Sequence, residues 1–404
     1  MRSAMISFTN GEGIALAGAL DLPPGKPRAF ALFAHCFNCS SQSHAAKRIA
    51  QALTLHGIAT LRFDFTGLGA SGGALADSHF AANIEDLKHA ARYLAETQQS
   101  PTILIGHSLG GAAAIAAASE VPSVKAVVTI GAPFDPAHIL QHFGSRIDEI
   151  ERAGEADITI AGRSFTVRKD FLDAVRGQNQ GRRLAELKRA LLVMHSPTDE
   201  IVGIENARDI FDAARHPKSF VSLDGADHLL TNKRDAEQVA AMIASWVERY
   251  LDPLAEVAID LEGTVQVRST DGKFLQDVVA GDHRFVADEP LRLGGWDAGP
   301  TPYDLLLAAL GTCTAMTVKL FAAREKMPLH DVSIGLRHDR IHAQDCQGGQ
   351  GKIERITRHV ELTGPLSGEQ RAVLIKIADR CPVHRTLEGE IRIETVDAAL
   401  VPPS

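Results

Sequence analysis

The chain has little cysteine, few aromatic residues and no excess of basic charge. Five cysteines in 404 residues, unevenly placed, are too few for a disulfide framework, so they read as reduced thiols, reactive thiols or core filler. Aromatics make up 5% of the residues, which leaves aliphatic packing to dominate. Trp246 and Trp296 read as core or interface packing, with no aromatic cage around them. A formal net charge of -8 supplies no positive field for phosphates, so neither a nucleic acid nor an anionic membrane is expected as a partner. Met1 to Gly13 has no apolar stretch of the secretory kind. The longest small-residue run, Gly110–Ala118, is far below the ~20 residues that span a bilayer, so a cytoplasmic location is expected. The sequence contains no internal repeat and no low-complexity tract.

What is present is a chain that can build large cores. With 45% hydrophobic and 23% charged residues it is globular, and its length implies two or three domains at about 150 residues each. From Arg28 to Leu251, short apolar runs alternate with amphipathic stretches. The runs are Ala29–Ala34, Ala59–Phe65, Thr102–Ile105, Ala126–Ile130, Ala190–Met194 and Ser219–Leu223. Helical candidates are Ala45–His56, Ala82–Gln98, Gly110–Ser119 and Ala236–Tyr250. Strands separated by helices imply a mostly parallel sheet covered on both faces, an α/β domain. The charged stretch 134–186 breaks the rhythm and reads as a lid inserted over one end of the sheet.

Pro253 stops the last of these helices and sets the expected boundary, with domains at 1–254 and 255–404. Beyond it, strand-like Val257–Val267, Lys273–Val279, Val332–His338, Ile353–Leu362 and Gly389–Thr395 flank helical Pro302–Lys326 and Ser367–Asp379. Mixed strands with segregated helices predict an α+β second domain.

Thr102 to Gly111 reads as an apolar strand, a Gly106-His-Ser108-Leu-Gly110 turn and a small-residue helix. Glycines there let the backbone turn sharply and leave the Ser108 hydroxyl exposed at the strand's C-terminal end. A hydroxyl needs a base oriented by a carboxylate. Asp199 follows one later strand and His228 the next, giving the chain order Ser, Asp, His; Glu200 competes with Asp199 but has the poorer motif position. Residues ~25–250 resemble the α/β-hydrolases, close to the serine aminopeptidase-like and esterase-like members. His35-Cys36-Phe37 matches the oxyanion loop of that family, with Cys36 where the family has Gly, and Asp64 to Ser71 matches its next loop. The resemblance implies that Ser108 attacks an acyl carbonyl of an ester, thioester or amide. His228 would shuttle the proton, Asp199 would orient His228, and the N–H groups of Phe37 and Leu109 would form the oxyanion hole.

Two bare patterns are set aside. Gly67 to Gly72 fits a dinucleotide fingerprint but precedes a poor helix start. Cys36-Phe-Asn-Cys39 is a Cys-x-x-Cys outside a thioredoxin-like context; the weaker alternative is two thiols that make the hydrolase oxidation-sensitive.

In the second domain Cys313 lies on an apolar helix, and Cys381-Pro-Val-His384-Arg385 places a thiol among cationic and titratable side chains. Such neighbours raise the thiolate fraction, although a cysteine on an apolar helix is also ordinary core. Residues ~256–400 resemble the OsmC/Ohr family through Leu310-Gly-Thr-Cys313 and Cys381-Pro-Val-His384. That resemblance implies reduction of an organic hydroperoxide, with Cys313 peroxidatic, Cys381 resolving, a dithiol reductant, and a homodimer through this domain. The family's activating Glu is replaced here by Tyr303, with Asp304 beside it. Arg268, Arg284 and Arg292 are all candidates for its Arg. The alternative is a non-catalytic dimerisation or ligand-binding module. His338, His342 and Cys346 match no zinc spacing and read as strand and solvated loop. No metal and no cofactor is expected.

Overall fold

The computed structural model describes residues 2–24, 26–36, 40–74, 79–160, 163–252, 265–270, 273–342 and 352–397. The chain divides into two units, Met1–Val257 and Ala258–Ser404.

The first unit is built on an eight-stranded sheet. Its strands are β1 (Arg2–Thr9), β2 (Ala15–Leu22), β3 (Ala29–Ala34), β4 (Ile58–Phe63), β5 (Ile103–His107), β6 (Ala126–Ile130), β9 (Ala190–His195) and β10 (Lys218–Ser222), in the order β1-β2-β4-β3-β5-β6-β9-β10. From β4 to β10 every pairing is parallel, while β1–β2 and β2–β4 are antiparallel. The β1–β2 hairpin is the part that the sequence reading, which began at Arg28, did not anticipate. Strand β3, Ala-Phe-Ala-Leu-Phe-Ala, is buried at all six positions. Because side chains alternate between faces, Phe30, Leu32 and Ala34 join one core cluster and Ala29, Ala31 and Phe33 the other.

Helices α1 (His44–Thr54) and α8 (Lys233–Val247) pack together over one face, and α2 (Phe80–Thr97) and α3 (Leu109–Ala117) over the other. Helix α7 (Glu205–Ala213) packs on β9 and β10. All nine residues of α3, Leu-Gly-Gly-Ala-Ala-Ala-Ile-Ala-Ala, are buried. Only side chains this small let a helix lie so close to the sheet behind it.

The stretch 134–186 forms a 3-10 turn at Pro136–Phe143, α4 (Arg146–Ala153), the hairpin β7 (Glu155–Ile160) and β8 (Arg163–Arg168), α5 (Lys169–Arg176) and α6 (Gln180–Ala185). Ile150, Phe171, Leu172, Val175 and Leu184 pack into the core shared with α2 and α3. The buried Gln180 donates from Nε2 to the Ala112 carbonyl at 2.9 Å, which fastens α6 to α3.

The second unit has an antiparallel sheet β11-β12-β13 (Val265–Ser269, Gln276–Ala280, His283–Ala287) and an antiparallel pair β14 (Asp331–His342) and β15 (Lys352–Thr363). Helix α9 (Pro302–Arg324) packs on β14, on α10 (Gly368–Ala378) and on α11 (Pro382–Glu388). Val318, Ala322, Leu362, Leu374 and Ile377 form its small core.

Two expectations need correction here. Gly389–Thr395 forms no strand among the described residues: Ile391 and Ile393 alternate as a strand should, but they are exposed, and no described strand pairs with them. Helix α9, unlike Gly110–Ala118, is long and apolar enough to cross a membrane by length and composition. It lies against β14, α10 and α11 and leaves Met316 and Leu320 exposed at 64% and 72%.

A Cβ added at Gly110 would lie 2.4 Å from the Ala34 carbonyl oxygen and 2.5 Å from that of His35, both rigid backbone. Gly110→Ala is therefore expected to destabilise the first unit by about 1–3 kcal/mol. Gly368→Ala, where a Cβ meets nothing within 4 Å, should leave the urea midpoint unchanged and serves as the control.

Candidate active site

Three loops at the C-terminal ends of β5, β9 and β10 carry Ser108, Asp199 and His228. Ser108 has φ 56° and ψ -129°, left-handed backbone that a side chain adopts only where the surroundings enforce it. Its N–H donates to the Ile130 carbonyl at 2.8 Å, and the Gly111 N–H closes the turn onto the Ser108 carbonyl at 2.8 Å. A Cβ on Gly106 would come within 2.3 Å of the Gly110 carbonyl oxygen, so the turn closes only with glycine at that position.

The Nδ1–H of His228 donates to Asp199 Oδ2 at 2.7 Å. The carboxylate can only accept, so the proton sits on Nδ1 and the lone pair on Nε2. Asp199 Oδ1 accepts the N–H groups of Ile201 and Val202, each at 2.9 Å. Burial, the largest single influence, pushes the Asp199 carboxyl up, but the bonds from His228, Val202 and Ile201 together outweigh it and hold it below its ordinary range. The carboxylate bonded to His228 belongs to Asp199 and not to Glu200.

Three residues that sequence reasoning did not single out hold this pair. His107 donates from Nε2 to the main-chain carbonyl of His228 at 2.7 Å, and His195 donates from Nε2 to the carbonyl of Val202 at 2.7 Å. Gly131, with φ 54°, ends β6 against the pair, where a Cβ would sit 3.2 Å from Asp199 Oδ2 and 3.3 Å from His228 Nδ1. The only signal available in the sequence was position: His107 precedes the serine, His195 ends a strand, and Gly131 follows one.

Leu109 opens α3 directly after Ser108 and is buried, whereas Phe37 lies outside the described residues. Cys36 is buried and disulfide-bonded, which corrects the expectation that the cysteines are free thiols or filler. Its partner lies outside the described residues, since Cys313 and Cys381 are both free. His35 donates from Nδ1 to the Cys36 carbonyl at 2.7 Å. Asp64 Oδ2 accepts the Ala70 N–H at 2.8 Å and Oδ1 the Ser41 N–H at 2.5 Å, joining the loops that follow β3 and β4.

In the second unit Cys313 is half-buried on α9, while Cys381 caps α11 and is fully buried. Burial, the largest influence, pushes the Cys381 thiol up, but Thr314, the His384 N–H, the nearby Cys313 thiol and the Arg358 charge together hold it below its ordinary range. The guanidinium beside it belongs to Arg358 on β15, and not to Arg268, Arg284 or Arg292, the three candidates from sequence. Asp304 closes a capping box with Thr301 at the start of α9, which accounts for it structurally. The Tyr303 ring stacks on His338 at 4.5 Å. His338 Nε2 in turn lies 2.5 Å from Glu354 Oε2. Among the described residues no group of His, Cys, Asp or Glu is placed to hold a metal ion; Cys346 lies outside them.

Burial pushes His107 down to about 4, helped by the nearby His228, and burial also lowers His35 and His195. A histidine that stays neutral when folded takes up its proton in the unfolded chain near 6.5. Stability is therefore present above pH 6.5 and is lost as the pH falls towards 4, which urea unfolding across that window measures. His107→Gln, which keeps an N–H donor, should flatten the loss and retain the tie to His228. His107→Phe removes the donor, leaves the buried carbonyl unpaired and should cost about 1–3 kcal/mol.

Family models match residues 25–153 as serine aminopeptidase, S33, and residues 295–396 as OsmC-like protein. The esterase domain of a Rhodothermus marinus protein is 48% identical, with a TM-score of 0.53 over 62% of this chain and 100% of that one. The monoacylglycerol lipase of Mycolicibacterium smegmatis is 22% identical over 61% of this chain and 97% of its own length. A hydrolase from Agrobacterium vitis, 18% identical with a TM-score of 0.53 over 61% of this chain and 100% of that one, shares the fold. The eight-stranded sheet, the turn at Ser108 and these matches together make the chain an α/β-hydrolase of the serine aminopeptidase and esterase family, joined to an OsmC-like domain.

Proposed function

We propose that the first unit is a serine hydrolase that cleaves a small-molecule ester, thioester or amide. The observation that carries this reading is the 2.7 Å bond from His228 to Asp199 at the C-terminal end of the sheet, where Ser108 turns out of β5. With Nδ1–H committed to Asp199, Nε2 of His228 is the nitrogen free to take the proton of the Ser108 hydroxyl as it attacks the acyl carbonyl. Asp199 keeps the ring in that tautomer and stabilises the imidazolium. The Leu109 N–H, at the start of α3, faces the developing oxyanion, and Phe37 is assigned the second donor; each such donor is worth roughly 10²–10³ in rate. An esterase domain and a monoacylglycerol lipase among the relatives favour an oxygen ester over an amide. The packed insertion at 134–186 covers the acyl site and selects the substrate.

The second unit, in the same reading, reduces an organic hydroperoxide with Cys313 and Cys381 and is returned to the dithiol state by a small dithiol or dithiol protein. The packing of α9, which carries Cys313, against α11, which Cys381 caps, supports it, because a sulfenate formed on one sulfur has its resolving partner on the neighbouring helix. A second copy of the chain covers the exposed apolar side chains of α9, giving a homodimer in the cytoplasm. Nothing in this chemistry calls for a metal, a cofactor, a nucleic acid or a membrane.

A fluorophosphonate probe should label Ser108, and Ser108→Ala should abolish labelling and lower hydrolysis of p-nitrophenyl esters by at least about a thousandfold. Labelling elsewhere, or full activity in the variant, would remove Ser108 from its role. With tert-butyl hydroperoxide, mass spectrometry should find a Cys313–Cys381 disulfide as the peroxide is consumed. Neither disulfide nor consumption would leave the second unit a dimerisation or ligand-binding module.

A further inference from the structure

In the second unit four elements meet at the two free thiols. Cys313 and Thr314 come from α9, Arg358 from β15, Asp379 from the end of α10, and Cys381 from the start of α11. Arg358 donates from Nη1 to the Thr314 hydroxyl oxygen at 2.8 Å and from Nη2 to Asp379 Oδ1 at 2.6 Å. Thr314 is fully buried, and its single hydroxyl hydrogen has two acceptors: the Leu310 carbonyl at 2.7 Å and Cys381 Sγ at 3.6 Å. An arginine donating to the hydroxyl oxygen makes that hydrogen more acidic and more strongly attracted to an anionic sulfur. Cys381 Sγ also accepts the His384 N–H at 3.3 Å.

The donors therefore converge on one sulfur. The Thr314 hydroxyl and the His384 N–H can both donate to Cys381 Sγ. Other charges close by are already matched: Asp379 on Arg358, and Glu388 on His384 at 3.0 Å. We propose that Arg358 is the cation of the two-thiol site, acting through Thr314, and that Cys381 is the sulfur it holds as an anion, so that Cys381 accepts the proton Cys313 gives up when Cys313 attacks. Burial, the largest single influence on the Cys381 thiol, acts upward, yet the bonds from Thr314 and His384, the nearby Cys313 thiol and the Arg358 charge outweigh it. The assignment makes the buried sulfur the base and leaves the half-exposed Cys313 as the one a substrate can reach.

The chemistry closes without a further group. Cys313 passes its proton to the Cys381 thiolate, and its sulfur attacks the distal oxygen of a hydroperoxide. The S–O bond forms as the O–O bond breaks, and the departing alkoxide takes the proton from Cys381 and leaves as the alcohol. Cys381, again an anion, attacks the Cys313 sulfenic acid, expels hydroxide and closes the disulfide, so two sulfurs are oxidised as one peroxide is reduced. Only this last sequence rests on the peroxide reading above; the position of the negative charge does not.

Thiolate absorbance near 240 nm, followed through a pH titration of the full chain, tests the charge directly. Wild type and Cys313→Ser should both show a thiolate step below the ordinary thiol range, and Cys381→Ser should lack it. Arg358→Met should move the step upward by about one unit, Arg358→Lys should restore it in part, and Thr314→Val should act like Arg358→Met. Thr314→Val also stands in should Arg358→Met fail to fold. A step that survives in Cys381→Ser but vanishes in Cys313→Ser, or one unmoved in both folded Arg358→Met and Thr314→Val, overturns the proposal. An intact step in a protein that consumes no hydroperoxide would remove the peroxide reading and leave the Arg358–Cys381 assignment standing.

Discussion

Much of the first unit follows from forcing one serine into left-handed backbone between a central strand and a helix. At Ser108 the chain leaves β5 and enters α3 with almost no connecting loop, so the first turn of the helix lies against β5 and the end of β3. That proximity dictates Gly106 and Gly110, whose Cβ atoms would strike backbone carbonyls. It also dictates the small side chains of α3, which is buried throughout its length. Packing of this kind holds strain in place: the two adjacent strands and the helix fix the turn from both sides, so it has nowhere to relax. The hydroxyl is partly exposed as a result.

Around that turn the electrostatics are arranged with neutral histidines and one charge. Asp199 is anionic because three donors converge on it. Burial lowers both His107 and His195, and a neutral imidazole donates through one nitrogen only; in each case that nitrogen faces a carbonyl of a loop bearing a candidate site residue. The second unit uses the opposite device. There a guanidinium is brought in, partly matched by Asp379, and its influence reaches the sulfur through a hydroxyl. Neutral donors hold loops in one unit, while a guanidinium is tied to a hydroxyl beside two thiols in the other.

The elbow and the order of its partners could be read because their requirements are local. Gly106, Ser108 and Gly110 lie within five residues, Asp199 follows a continuously apolar run that is buried throughout, and His228 follows the partly exposed edge strand β10. The central strands were legible for the same reason, being buried on both faces and continuously apolar. The β1–β2 hairpin was not, because β1 lies at the sheet edge and alternates polar with apolar residues over a short span. Arg358 was missed because its link to Thr314 crosses 44 positions, and an arginine on a half-exposed strand looks like any solvated charge. Gly389–Thr395 shows the reverse failure. Its alternation is that of a strand, but a strand also needs a neighbour, which no pattern within the segment supplies.

The ties from His107 and His195 end on main-chain oxygens, which every amino acid possesses. The loops around His228 and Val202 can therefore exchange their other side chains without altering these ties. Leu229 and Glu200, both exposed, are free in this sense. Side-chain identity and loop position are thereby uncoupled along the same few residues, which gives laboratory evolution of this hydrolase a set of positions that can drift while the loops stay in place.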